Sequence, residues 1–215
     1  MATLTAYHGD SKIKQKYIDR IREHRRLEHL TQGVAWESNG TTKGCAVGCT
    51  LEKYDHMAYE TELGIPVMIA RLEDCIFEGL PKEDAMKWPE QFLKAIEPKA
   101  DLSMVGPKFL LAVVERRYGK LDAKGIELVG ASMMQVIEVI QKWVDTGVLD
   151  ISAAWSAESA AWSAESAAGS AESAARSAAG SAAWSAESAA RSAESAEYKW
   201  MAKTLIGLLK DAPIV

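Results

Sequence analysis

The chain is predicted to be mostly α: a compact helical N-terminal domain with a glycine/cysteine loop, plus a long Ala/Ser-repeat helix or helical hairpin. Three observations carry that expectation. Between Ser152 and Glu197 the sequence repeats Ser-Ala-Ala-X-Ser-Ala-Glu, with X being Trp155, Trp162, Gly169, Arg176, Trp184 and Arg191. Before the repeat, apolar residues recur three and four apart between polar caps and glycine or proline stops, which is the helical period. Extended residues are expected in one short stretch only, Val34 to Glu37. The organisation expected is a helical domain over 1–150, the repeat over 151–197 and a docking helix over 198–215.

The first helix is expected to begin after Asp10 or Ser11, both good caps, and to stop before Gly33. Ile13, Tyr17, Ile21, His24 and Leu27 share one face of it, so His24 reads as a hydrogen-bonded core histidine. Lys12, Lys14, Lys16, Arg20, Arg22, Arg25 and Arg26 make this helix locally basic, a pattern that a solvated face explains. Ser38-Asn39-Gly40 reads as a turn, and 44–52 as a tight loop entering a short helix. Further helices are expected near 55–63, 67–78, 82–95, 101–118 and 122–146. The last is rich in Ile, Leu, Val and Met from Ile126 to Trp143 and reads as deeply buried. Met201, Leu205, Leu208 and Leu209 form one stripe of the final helix, which should dock on the core.

Within the repeat the thirteen serines from Ser152 to Ser195 are always three or four apart. Their mean step is about 3.6, the period of a straight α-helix. Alanine, the best helix former, fills nearly half of the block. The alanines form a smooth face for close helix packing, while Trp155, Trp162 and Trp184 lie opposite and offer large apolar areas to bury. Unbroken, the block would run about 70 Å. It therefore either projects into a homo-oligomer or folds back at Gly169 or Gly180, where glycine weakens a helix by roughly 1 kcal/mol.

Net charge is −5, and six glutamates against two arginines in 152–197 supply much of it. That balance does not favour nucleic-acid binding. Three cysteines, Cys45, Cys49 and Cys75, fit a reducing compartment better than a disulfide scaffold. No apolar run reaches membrane-spanning length and no signal peptide is evident, so the expected setting is cytoplasmic, without membrane contact.

Chemistry, if present, is expected around Lys43-Gly44-Cys45-Ala-Val-Gly48-Cys49-Thr50, followed by Asp55 and His56. Glycines beside a helix start bring backbone N–H groups close to an anion. A cysteine there can be activated, with a histidine as base; Cys45 (or Cys49), His56 and an acid such as Asp55 or Glu60 would form such a triad. His8 and Asp10, ahead of the first helix, are candidates to reach the same loop and line a pocket with Lys43, Gly44, Cys45, Gly48, Cys49 and Thr50. Glu60, Glu62, Glu73 and Asp74 offer carboxylates for acid/base work. Cys45 and Cys49 lack the second matched pair of a structural zinc site, so no metal and no cofactor are expected.

Several stretches together carry a likeness: Ala6-Tyr-His-Gly-Asp10, Gly44-Cys-Ala-Val-Gly-Cys-Thr50, Glu62-Leu-Gly-Ile-Pro66, Ala70-Arg-Leu-Glu-Asp74, Ile76-Phe-Glu-Gly-Leu-Pro81 and Tyr198-Lys-Trp-Met-Ala-Lys-Thr-Leu-Ile206. With the repeat between them, the chain resembles a family of uncharacterised proteins of bacteria and their phages. The resemblance transfers no catalytic residue. It implies a setting in which phage and host compete, where small binding proteins are common. Three functions are expected in descending order. The first is a non-enzymatic binder that sequesters a small nucleotide-like ligand or signal. The second is an interaction protein that meets a protein partner through its tryptophan-bearing helix. The third is a Cys/His thiol hydrolase or transferase.

Overall fold

A computed structural model describes residues 4–38, 40–153 and 183–215. After a single 3-10 turn, Ala6–Gly9, the order is α1 (Ser11–Arg26), β1 (Trp36–Glu37), β2 (Lys43–Gly44), α2 (Ala46–Leu51), α3 (Ala58–Leu63) and α4 (Val67–Gly79). There follow α5 (Lys82–Ala85), α6 (Trp88–Ala95), α7 (Val105–Tyr118), α8 (Ala123–Gly125), a π-helical turn (Ile126–Gly130), α9 (Ala131–Thr146) and α10 (Ala183–Lys210). The fold is mostly α, and the β1–β2 ribbon is the one sheet among the described residues.

Local sequence signals account for most boundaries. Asp10 caps α1, its carboxylate accepting from the Lys12 N–H at 2.8 Å. The helix ends at Arg26, earlier than the expected stop before Gly33, because Glu28 adopts a left-handed φ of 58° and turns the chain away. Proline at 66 and 81 precedes α4 and α5. The expected helix over 82–95 is two short helices, α5 and α6, with Met86 and Lys87 between them.

Contacts divide the chain into two compact units: residues up to Gly106 together with Ser192–Val215, and Pro107–Arg191. The first unit holds the main core. Its centre is α4, which packs on α2, α3, α5 and α6, while α1 lies on α2 and α6. Trp88, Tyr7, Tyr17, Tyr59, Phe77 and Phe92 are fully buried there, each contributing roughly 1.5–3 kcal/mol through the area it withdraws from water. Their polar tips are satisfied: Tyr7 donates to the Leu93 carbonyl at 2.7 Å, and the Trp88 indole donates to the Glu73 carbonyl at 3.0 Å. The end of α10 docks on this core through Leu205 and Leu209, both buried. Backbone bonds then join the last residues to 99–101, Asp101 N–H to the Pro213 carbonyl at 2.8 Å and Val215 N–H to the Lys99 carbonyl at 3.0 Å.

Lys12, Lys16, Arg22 and Arg26 of α1 are exposed, as a solvated face requires, and part of the basic set also pairs across to α6. Arg22 and Arg25 both reach Glu90 of α6, at 2.8 and 2.7 Å, and Lys14 reaches Glu97 at 3.2 Å. They join α1 to α6 and its exit. In the second unit the apolar run 126–143 is not deeply buried as a whole. Ile140 is buried, whereas Ile126, Leu128 and Met134 are exposed. Hydrophobic content alone overstates burial there, because a single helix face takes the packing.

The last part of the repeat, from Ala183, is helical and runs without a break into the C-terminal docking helix. The expected bends at Gly169 and Gly180, and the surroundings of Trp155, Trp162 and Trp184, lie outside the described residues.

Candidate functional site

The glycine/cysteine loop is held from both sides. Gly44 N–H donates to the His29 carbonyl at 3.0 Å and Thr31 N–H donates to the Gly44 carbonyl at 2.9 Å. On the other flank Trp36 pairs with Gly44 and Glu37 with Lys43 in antiparallel register. This closeness explains the glycines. A Cβ on Gly44 would stand 2.7 Å from the Trp36 ring, and one on Gly48 would overlap the Ala35 carbonyl. Gly44, Gly48, Cys49 and Thr50 are buried, so the loop's glycines serve packing and its N–H groups are not presented to a ligand.

Cys45 is the N-cap of α2, its sulfur accepting from the Gly48 N–H at 3.4 Å. Cys49 donates to the Gly44 carbonyl at 3.4 Å. Burial pushes both thiols up, Cys49 to about 12, and at Cys45 the neighbouring Asp74 carboxylate pushes the same way. Both are protonated and inward-facing at neutral pH, the opposite of an activated nucleophile.

The residues proposed as thiol partners are arranged differently. Asp55 caps α3, accepting from the Met57 and Ala58 N–H groups at 3.0 and 3.2 Å. His56 Nε2 lies 3.1 Å from Asp74 Oδ2, which also accepts from the Tyr54 hydroxyl at 3.1 Å. Asp74 therefore stands where the sequence suggested Asp55, and the imidazole meets the acid rather than the sulfur. Cys45 Sγ and carboxylate oxygens of Asp74 and Glu78 lie within 4.8 Å of one another. Next to Asp74 in the chain, Glu73 accepts from the Tyr59 hydroxyl at 2.6 Å and is fully buried. Burial raises its carboxyl well above the usual range, and Asp74 adds to the rise, so it is a neutral acid held in the core.

His8 and Asp10 are engaged near the N-terminus. His8 Nε2 sits 3.1 Å from the Thr61 carbonyl, and Asp10 caps α1. His24 is buried, with its Nδ1 2.9 Å from His29 Nδ1. Burial and the His29 charge both lower its pKa, which favours the neutral ring.

A cleft of about 740 Å³ opens beside the loop, lined by residues from the end of α1, the segment after it, Lys43 and α5. Arg25, Lys43 and Lys82 stand on its walls, with Thr31 as a polar neighbour and Leu30 and Met86 as an apolar shelf. Glu28 is its one acid. Arg25 is shared with Glu90 at 2.7 Å; among the described residues neither Lys43 nor Lys82 has a carboxylate partner. Hydrogen bonds tie one wall of the cleft to the end of α4: the Gln32 amide donates to the carbonyls of Phe77 and Leu80 at 2.7 and 2.8 Å, and Gly33 N–H donates to Glu78 at 2.7 Å.

Of the residues singled out from sequence, Lys43 alone lines this cleft. Arg25 was visible only as part of a basic helix, and Lys82 and Glu78 carried no signal of their own. The spacing of Asp74 and Glu78, four apart on one helix, was the available clue that both share a face. Compared with protein-family models, with curated proteins and with solved structures, the chain finds no match.

Proposed function

We propose that the protein is a non-enzymatic binder of a small phosphate-bearing ligand, held in the cleft between the end of α1, Lys43 and α5. The observation that carries this reading is the pair of uncompensated ammonium groups, Lys43 and Lys82, in a concave site whose third cation is Arg25. A volume of about 740 Å³ lies in the range that takes a nucleotide-sized molecule. The lysines supply point charges for phosphate oxygens, and Leu30 and Met86 offer an apolar surface for a flat ring. Glu28, opposite in sign, selects against a ligand that fills the whole cleft with negative charge. In the phage–host setting that the resemblance implies, such a protein would sequester a nucleotide-like signal.

The thiol-enzyme reading has less support, since Cys45 and Cys49 are buried, protonated and without a histidine partner. Isothermal titration calorimetry with adenosine triphosphate and with inorganic pyrophosphate tests the binder. The wild-type protein is expected to bind, and Lys43→Ala with Lys82→Ala to weaken binding by about a hundredfold, at roughly 1.5 kcal/mol for each charge-assisted contact. Equal affinity in the two proteins, or no heat with either probe, would exclude the cleft as the site.

A further inference from the structure

We infer that Cys45, Asp74 and Glu78 form a binding site for a borderline divalent transition ion of the zinc class, with His56 and Tyr54 holding Asp74 from outside. The three donors converge from two elements. Cys45 sits at the start of α2, and Asp74 and Glu78 lie one turn apart on α4, which α2 packs against. Their ligand atoms lie within 4.8 Å of one another. Around a tetrahedral ion with bonds of about 2.0–2.3 Å, ligand atoms stand roughly 3.3–3.8 Å apart. Small side-chain rotations therefore close the set.

A second observation, independent of that clustering, points to a ligand. Asp74 is 8% exposed; its Oδ1 is buried without an N–H or O–H donor, and the Cys45 thiol is the group hydrogen-bonded to the same carboxylate. A buried carboxylate oxygen without such a donor costs about 1–3 kcal/mol, and a cation shared by Asp74, Glu78 and Cys45 would supply its partner. The other oxygen of the same carboxylate accepts from Tyr54 and faces His56 Nε2 at 3.1 Å. Ligating carboxylates are themselves held by outer hydrogen-bond partners, and Tyr54 and His56 stand in that place for Asp74. Glu78 is fixed by the Gly33 N–H at 2.7 Å and is the exposed member of the set, which gives an ion access from solvent.

The donor set defines the class of ion. One thiolate with two carboxylates suits zinc or cobalt(II); magnesium and calcium prefer all-oxygen sites. Three protein ligands leave the fourth tetrahedral position for water or an exogenous donor. On binding, the Cys45 S–H bond breaks, its proton passes to the buffer and the sulfur lone pair forms the bond to the ion. No redox partner is involved.

Cobalt(II) titration of the full-length, chelator-treated protein tests the site. One equivalent is expected to give a sulfur-to-cobalt charge-transfer absorption in the near ultraviolet, lost in Cys45→Ser and kept in Cys49→Ser and Cys75→Ser. Glu78→Gln changes an exposed residue and retains an acceptor for Gly33, so it keeps the proposal testable should Cys45→Ser not fold. It is expected to weaken cobalt by more than about tenfold, the scale that loss of even an outer partner carries. Absence of the band, its persistence in Cys45→Ser, its loss in Cys75→Ser, or unchanged affinity in Glu78→Gln would each overturn the assignment.

Discussion

Three cysteines occupy three different environments. Burial raises all three thiols, but Cys45 and Cys49 are 2% and 0% exposed whereas Cys75 is exposed on α4. Because the thiolate is the reactive form, a native protein at neutral pH should label first at Cys75, with Cys45 and Cys49 released only on unfolding. Mass-mapped alkylation over time checks this. Rapid labelling of Cys45 would revive the thiol enzyme. The neighbouring glycines could not be interpreted from sequence alone. Gly44 and Gly48 match both an anion-cradling loop and a close-packing site, and only the position of Ala35 and Trp36 against them decides for packing. His24 was legible, since its place in the apolar stripe of α1 left the core as its only destination.

Among the elements, the joint between α1 and α6 rests on Glu90. Its carboxylate meets Arg22, Arg25 and Lys94 at 2.8, 2.7 and 2.7 Å while being 8% exposed. Burial pushes this acid up, but the hydrogen bonds from Lys94 and Arg22 and the Arg25 charge outweigh it and hold the group at about 2. A folded-state value below the ordinary 4.5 means that the unfolded chain binds the proton more tightly. The stabilisation is complete above about pH 4.5 and is lost as pH falls through about 2. Glu90→Gln should lower stability by about 2 kcal/mol at pH 7, and its gap to wild type should close toward pH 2. Urea denaturation of both proteins at pH 7 and pH 3 measures this. A gap independent of pH would show that the cluster does not act through charge. Here the helices themselves were legible, because caps, prolines and apolar spacing are local signals. The pairing of basic α1 with Glu90 was not, because residues 68 apart in the chain meet only through tertiary packing.

At the level of the whole molecule, the proposed site joins parts of the chain that no motif connects. Arg25 ends one helix, Lys43 belongs to the small ribbon and Lys82 opens α5; the packing of α1 and α5 around the core brings them to one cleft. The sequence indicated a mostly helical chain with a C-terminal helix returning to the core, and the structure has both; of the loop at 43–50, which the sequence marked for chemistry, the glycines and thiols are packed inward. It could not indicate which side of that loop faces a cavity, since a one-dimensional pattern marks the buried face without showing where two buried faces leave a gap. No helix among the described residues is long and apolar enough to cross a membrane. On the proposed function, this cleft holds a small phosphate-bearing molecule. The most direct measurement is a two-dimensional amide chemical-shift titration of isotope-labelled protein with adenosine triphosphate. Saturable shifts are expected at Glu28–Gln32, Lys43 and Lys82–Met86, absent from the Lys43→Ala, Lys82→Ala protein. Shifts centred elsewhere, or a spectrum unchanged by the nucleotide, would contradict it.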